Sequence, residues 1–69
     1  MSAPQLTVNG QQVEALLPAS IEEFLLAQKL RPRSVVVEHN GEAVAPSEFA
    51  GRQLRDGDHL EIVSIVAGG

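Results

Sequence analysis

Leu17-Pro18-Ala19-Ser20-Ile21-Glu22-Glu23-Phe24-Leu25-Leu26-Ala27 is the stretch around which the rest of the chain arranges itself. Pro18 closes whatever strand precedes it. Ser20 followed three residues later by Glu23 is a capping box: the Ser20 hydroxyl accepts from the Glu23 amide, and the Glu23 carboxylate reaches back to the Ser20 amide. Glu22 and Glu23 stand where a helix dipole favours negative charge, and Lys29 stands near the opposite end. Ile21, Phe24, Leu25 and then Ala27 or Gln28 recur at helical spacing and mark one apolar face. Leu30 packs as the helix ends, and Arg31-Pro32 stops it. No other segment affords a long helix.

Outward from this helix, the pattern turns to strands. On the amino-terminal side Gln5-Leu6-Thr7-Val8 alternates polar and apolar and runs into Asn9-Gly10. That pair suits a type I′ turn, where both central residues need positive φ. Val13 to Leu17 resumes an apolar pattern, so residues 5–17 read as a β-hairpin. On the other side Val35-Val36-Val37, β-branched and bounded by Pro32 and Asn40-Gly41, reads as a strand that is a candidate for burial on both faces. A second tight turn at Asn40-Gly41 leads to a short strand around Ala43-Val44, ended by Pro46. Ser47-Glu48-Phe49-Ala50-Gly51 reads as one helical turn with Ser47 as cap and Gly51 as stop, and Leu54 anchors that turn in the core.

Asp56-Gly57-Asp58 forms a turn, and His59 to Val66 is the final strand. There Leu60, Ile62, Ser64 and Val66 share one face; His59, Glu61, Val63 and Ile65 share the other. The second face is polar at its start and apolar at its end. Val63 and Ile65 are therefore either covered by the chain or offered to a partner. Strands grouped around one helix predict an α+β fold, with a mixed four- to five-stranded sheet packed on that helix.

Composition narrows the function. At 69 residues and 7.3 kDa the chain is read as a single domain, residues 1–69. With no cysteine, it has no disulfide scaffold, thiolate zinc site or thiol nucleophile of its own. Five basic against nine acidic residues give a net charge of −4, and aromatics make up 3%. Nucleic-acid binding needs basic patches and stacking rings, so that class is set aside. An acidic surface suits a basic partner instead. The start of the chain lacks a signal-peptide pattern, and the longest apolar run is Phe24-Leu25-Leu26-Ala27. A cytoplasmic protein without membrane segments, monomeric when free, is expected.

Catalytic chemistry is sparse. Ser20 and Ser47 read as caps, and no serine sits in a nucleophile elbow. His39 and His59 flank turns and read as solvated surface residues, and no further ligands at metal spacing accompany them. Asp56 and Asp58 read as turn residues bonding backbone amides rather than as a catalytic pair. Lys29, Arg31 and Arg33 read as a solvated helix end. What remains is Ala67-Gly68-Gly69. Paired glycines stabilise a fold poorly, but they make a tail thin enough to thread a tunnel and flexible enough to place a terminal carboxylate in another protein's active site.

Residues Val35 to Phe49, then Leu54 to Val63, then Val66-Ala67-Gly68-Gly69, resemble the ThiS family of sulfur carriers of thiamine biosynthesis. The likeness extends over nearly the whole chain, with the Asn-Gly turns, the Asp-Gly-Asp turn and the closing Gly-Gly. It departs at Ser47, where many relatives carry a basic residue, and at Phe49, where many carry tryptophan. The resemblance implies a ubiquitin-like β-grasp fold with the first and last strands side by side and parallel.

It also implies a chemistry. An E1-like adenylating enzyme, using ATP and magnesium, activates the Gly69 carboxylate. Sulfur from a persulfide donor such as a cysteine desulfurase replaces the adenylate, and the thiocarboxylate supplies thiazole synthase. On this view Ala67, Gly68 and Gly69 thread the partner's active site, Val63 and Ile65 contact a partner, and the chain binds no cofactor or metal and catalyses nothing itself. Similar tails occur in the small subunit of molybdopterin synthase, in carriers for tRNA thiolation and in ubiquitin-like modifiers. A plain interaction module, whose Gly-Gly has no chemistry, is the rival of a different class.

Overall fold

The computed structural model describes residues 3–65. Strands β1 (Gln5–Val8) and β2 (Gln11–Glu14) form an antiparallel hairpin. Its turn is the expected one: Asn9 and Gly10 have φ of 51° and 83°. The hairpin is shorter than residues 5–17, however. After Glu14 the chain leaves the sheet, and Leu16 is almost fully exposed.

Strand β3 (Ala19–Ser20) leads directly into helix α1 (Ile21–Ala27). Both bonds of the capping box are present: Glu23 N–H donates to Ser20 Oγ at 3.0 Å, and Ser20 N–H donates to Glu23 Oε1 at 2.8 Å. Ile21, Phe24 and Leu25 are buried as their spacing requires, whereas Ala27 and Gln28 are exposed. The reason lies at the helix end. Lys29 takes a left-handed conformation, φ 61°, so that its N–H donates to the Leu26 carbonyl at 2.9 Å and Leu30 N–H reaches the Leu25 carbonyl at 2.8 Å. This Schellman closure turns the chain before Arg31-Pro32 is reached and carries Leu30 back to the core. The helix therefore ends on a local hydrogen-bond exchange, not on the proline.

A 3-10 turn at Pro32–Ser34 precedes β4 (Val35–His39), which pairs antiparallel with β5 (Glu42–Val44) across Asn40 and Gly41, at φ 52° and 84°. β4 is buried on one face only. Val35, Val37 and His39 point to the core, and Val36 is half exposed. Three consecutive valines suggested a two-sided strand, but the helix layer covers a single side of the sheet.

The second helical turn is a 3-10 turn over Pro46–Glu48, with Ala45 in the cap position and no side-chain cap. Pro46 fits the first helical position, which displaces Ser47 from the capping role expected for it. Phe49 and Leu54 are buried. Strand β6 (Gln53–Leu54) pairs with β3 in a second, two-stranded sheet.

The last strand, β7 (His59–Ser64), fills the middle of the main sheet, whose order is β2-β1-β7-β4-β5. It runs parallel to β1, with Thr7 beside His59 and Val8 beside Leu60, and antiparallel to β4. Leu6, Val35, Val37, Val44 and Leu60 from the sheet meet Ile21, Phe24, Leu25, Phe49 and Leu54 in one core. Each such side chain contributes about 1.5–3 kcal/mol on burial, and no buried side-chain polar atom lacks a partner among the described residues. A mixed five-stranded sheet on one helix, with its first and last strands parallel, is the β-grasp arrangement.

Candidate functional site around the last strand

β7 carries the chain out through the centre of the sheet. β1 accompanies it only past Leu60, where the Asn9 N–H donates to the Leu60 carbonyl at 2.9 Å. There β1 turns away, and the Asn9 side chain continues the ladder in its place. Its Oδ1 accepts from Ile62 N–H at 2.8 Å and its Nδ2 donates to the Ile62 carbonyl at 3.0 Å. A side-chain amide carries the same donor and acceptor as a peptide, so it substitutes for one backbone pair.

Asn40 grips the start of β7 from the other side. It accepts from His59 N–H at Oδ1 (2.8 Å) and donates its own N–H to the His59 carbonyl (2.8 Å). Each asparagine thus serves a hairpin turn and holds β7 as well. Beyond them, Ile65 N–H donates to the Ser34 carbonyl at 2.7 Å, which ties the strand's exit to the approach of β4.

At that exit the outward face of the sheet is apolar. Val63 is 61% exposed and Ile65 52%, so of the two alternatives left open by the sequence, the described residues do not cover them. Val36, 50% exposed, lies directly opposite Val63 in register and joins them. Reading the valine run as buried on both faces hid this third member. Val66, Ala67, Gly68 and Gly69 lie outside the described residues.

At the other end of β7, the structure overturns the reading of His39 as a solvated residue. Its side chain is buried on the core side of β4 and bridges three segments. Arg52 Nε donates to His39 Nδ1 at 3.0 Å. Nδ1 is therefore an acceptor, which assigns the hydrogen to Nε2, and that atom lies 2.7 Å from Asp58 Oδ2. Asp58 also accepts from the Arg55 N–H at 3.0 Å and from Asn40 Nδ2 at 3.2 Å.

Partial burial works to raise the Asp58 pKa. The hydrogen bonds from His39, Arg55 and Asn40 outweigh it and hold the carboxyl below its ordinary value. The Arg52 guanidinium pairs in turn with Glu42, and this hydrogen bond, with the charge behind it, lowers the Glu42 pKa. Asp56 bonds a backbone amide as expected, but that of Gln5 on β1 at 2.8 Å, 51 positions away, so it ties the turn to the hairpin rather than closing the turn itself. His59 remains exposed, as expected.

None of this forms a catalytic constellation. The His39 network is closed upon itself, and among the described residues no group of three His, Asp or Glu side chains could hold a metal ion. A hollow of about 440 Å³ between α1 and the segment after β2 is lined by Leu16, Pro18, Phe24 and Ala27, with only Glu14 and Glu23 as titratable groups. Among the described residues no helix is long and apolar enough to cross a membrane. The arrangement does one thing well: it holds a strand at the centre of a sheet and ends that strand beside an exposed apolar face.

Comparison with known proteins agrees with that geometry. The fold superposes on the crystal structure of a thiamine biosynthesis protein (ThiS) from Geobacter metallireducens with a TM-score of 0.78 and 34% identity, covering 94% of this chain and 99% of that one. The solution structure of a thiamine biosynthesis protein from the same organism gives a TM-score of 0.77 at 34% identity, over 94% and 87% of the two chains. A thiazole synthase of Paramagnetospirillum magneticum is 35% identical over 65 residues, which is 94% of this chain. The chain spans only a fifth, 20%, of that protein's length. The profile of the ThiS family matches residues 6–69, the two closing glycines included. By that match, and by the structural agreement that accompanies it, the chain belongs to the ThiS family.

Proposed function

We propose that the chain is a sulfur carrier of thiamine biosynthesis and that Gly69 is its working residue. A carboxylate is a poor acceptor for nucleophiles. An E1-like enzyme would make it reactive by joining the Gly69 carboxylate oxygen to the α-phosphorus of ATP, with release of pyrophosphate. The terminal sulfur of a persulfide donor then attacks the Gly69 carbonyl carbon and AMP leaves. A second thiol then attacks the donor cysteine's sulfur and forms a disulfide with it, and the thiocarboxylate departs as the leaving group. Thiazole synthase is the acceptor of that sulfur. Val63 and Ile65 contact the partner, and Ala67, Gly68 and Gly69 thread its active site. The chain is then a substrate handled by other enzymes, not a catalyst.

The observation that carries this reading is the family match through residue 69. The placement of β7 supports it, because a rigid central strand gives partners a fixed reference from which to take the terminus. The likeness to part of a thiazole synthase supports the choice of acceptor. The test is an intact-mass measurement. After incubation with the adenylating enzyme of the same organism, ATP, magnesium and a persulfide donor, one oxygen of the carrier is exchanged for sulfur. If an enzyme shown to be active on another carrier leaves the mass unchanged, the plain interaction module becomes the better reading.

A further inference from the structure

The outward face of the sheet carries an uncompensated charge pair. Glu38 on β4 lies directly opposite Glu61 on β7, and both are exposed. Like charges directly opposite each other destabilise a sheet. Neither forms an ion pair among the described residues. The sheet offers no local relief, because its five strands contain no lysine or arginine. The chain's basic residues, Lys29, Arg31, Arg33, Arg52 and Arg55, all lie in the connections. A shallow hollow of about 470 Å³ opens at the acidic pair, bordered by Asn40, Gly41 and His59. Two residues along each strand the same face becomes apolar, with Val36 opposite Val63 and Ile65 beyond.

We infer that this face receives the enzyme that adenylates the tail, with an arginine of that enzyme entering between Glu38 and Glu61 while apolar side chains beside it cover Val36, Val63 and Ile65. The inference rests on the proposed adenylation. Charge complementarity selects the occupant. A guanidinium has donors enough for two carboxylates and is weakly hydrated, so it tolerates apolar neighbours better than an ammonium does. A second copy of this chain would set the same two glutamates against their equivalents, on molecules of net charge −4. The pair costs stability in the free protein and yields attraction in the complex, so the two states respond to its removal with opposite sign.

Glu38→Gln and Glu61→Gln, singly and together, test this with the full chain and the adenylating enzyme of the same organism. The thermal midpoint of the free variants stays level or rises. Their Kd for the enzyme increases about fivefold per substitution at low salt, and its dependence on salt becomes shallower. Unchanged Kd with unchanged salt dependence, while the unsubstituted carrier still drives pyrophosphate release, overturns the docking proposal alone. No pyrophosphate release from the unsubstituted carrier removes the adenylation reading and the docking proposal together. A free protein that sediments as a dimer, and as a monomer once Val63→Asp is introduced, assigns the face to a second copy and overturns the proposal.

Discussion

His39 shows at the scale of single residues how a polar side chain can be buried without a large penalty. Each ring nitrogen has a partner of the right kind, Arg52 donating to one and Asp58 accepting from the other, so no donor or acceptor is stranded. Those partners lie 13 and 19 positions away in sequence, and nothing in Glu38-His39-Asn40-Gly41 announces them. A histidine beside a turn carries the same local pattern whether it is wet or buried. The Asp58 carboxyl, by contrast, was legible as a turn acceptor, because Asp-Gly-Asp encodes its own backbone bonds.

The depressed Asp58 pKa has a definite sign for stability. Its contribution is complete above the unfolded-state value and is lost as pH falls through the lower folded-state value, so the loss begins below about pH 4. Asp58→Asn removes that titration while keeping a side-chain carbonyl for His39. The variant is therefore expected to show a flatter fall of urea stability with acid than the parent chain. Parallel curves would mean that Asp58 is not the group responsible.

Elements whose instructions are local were readable from the sequence. The two Asn-Gly turns and the Ser20–Glu23 box all appear where the sequence puts them. Two readings went astray for different reasons: Val36 could be turned outward only by a one-sided helix layer, which is tertiary information, and Lys29 closes α1 locally but in a conformation that sequence patterns reserve for glycine or asparagine. Asn9 belongs to both kinds, since its turn was legible and its grip on Ile62 was not. Asn9→Gly separates the two roles, because glycine keeps the positive φ and removes the amide. We expect a loss of about 1 kcal/mol, for two exposed hydrogen bonds, with faster hydrogen exchange at the Ile62 N–H and little change at Val37. Uniform acceleration across the sheet would instead mark a global effect.

Across the whole molecule, the core residues recur in the sequence as a plain alternation, but the strand order does not. Pairing β1 with β7 joins residues more than fifty positions apart, and only the likeness to the ThiS family pointed to it. The fold and the tail are expected to be separable. Gly68→Ala should leave the urea midpoint where it is, since residue 68 follows β7 in the sequence and belongs to none of the described core. On the proposed role it should slow adenylation about ten- to a hundredfold, because an added methyl would crowd a backbone threaded into the partner and misplace the carboxylate. An equal loss of folding stability would contradict that separation.

The central position of β7 also bears on synthesis. A ribosome making this chain must release residues 59–64 before the inner edges of β1 and β4 have a strand to pair with, so a nascent polypeptide halted earlier holds two hairpins and a helix with no spine between them. Half-made copies therefore present unpaired sheet margins to chaperones and proteases until the strand that completes the fold has emerged.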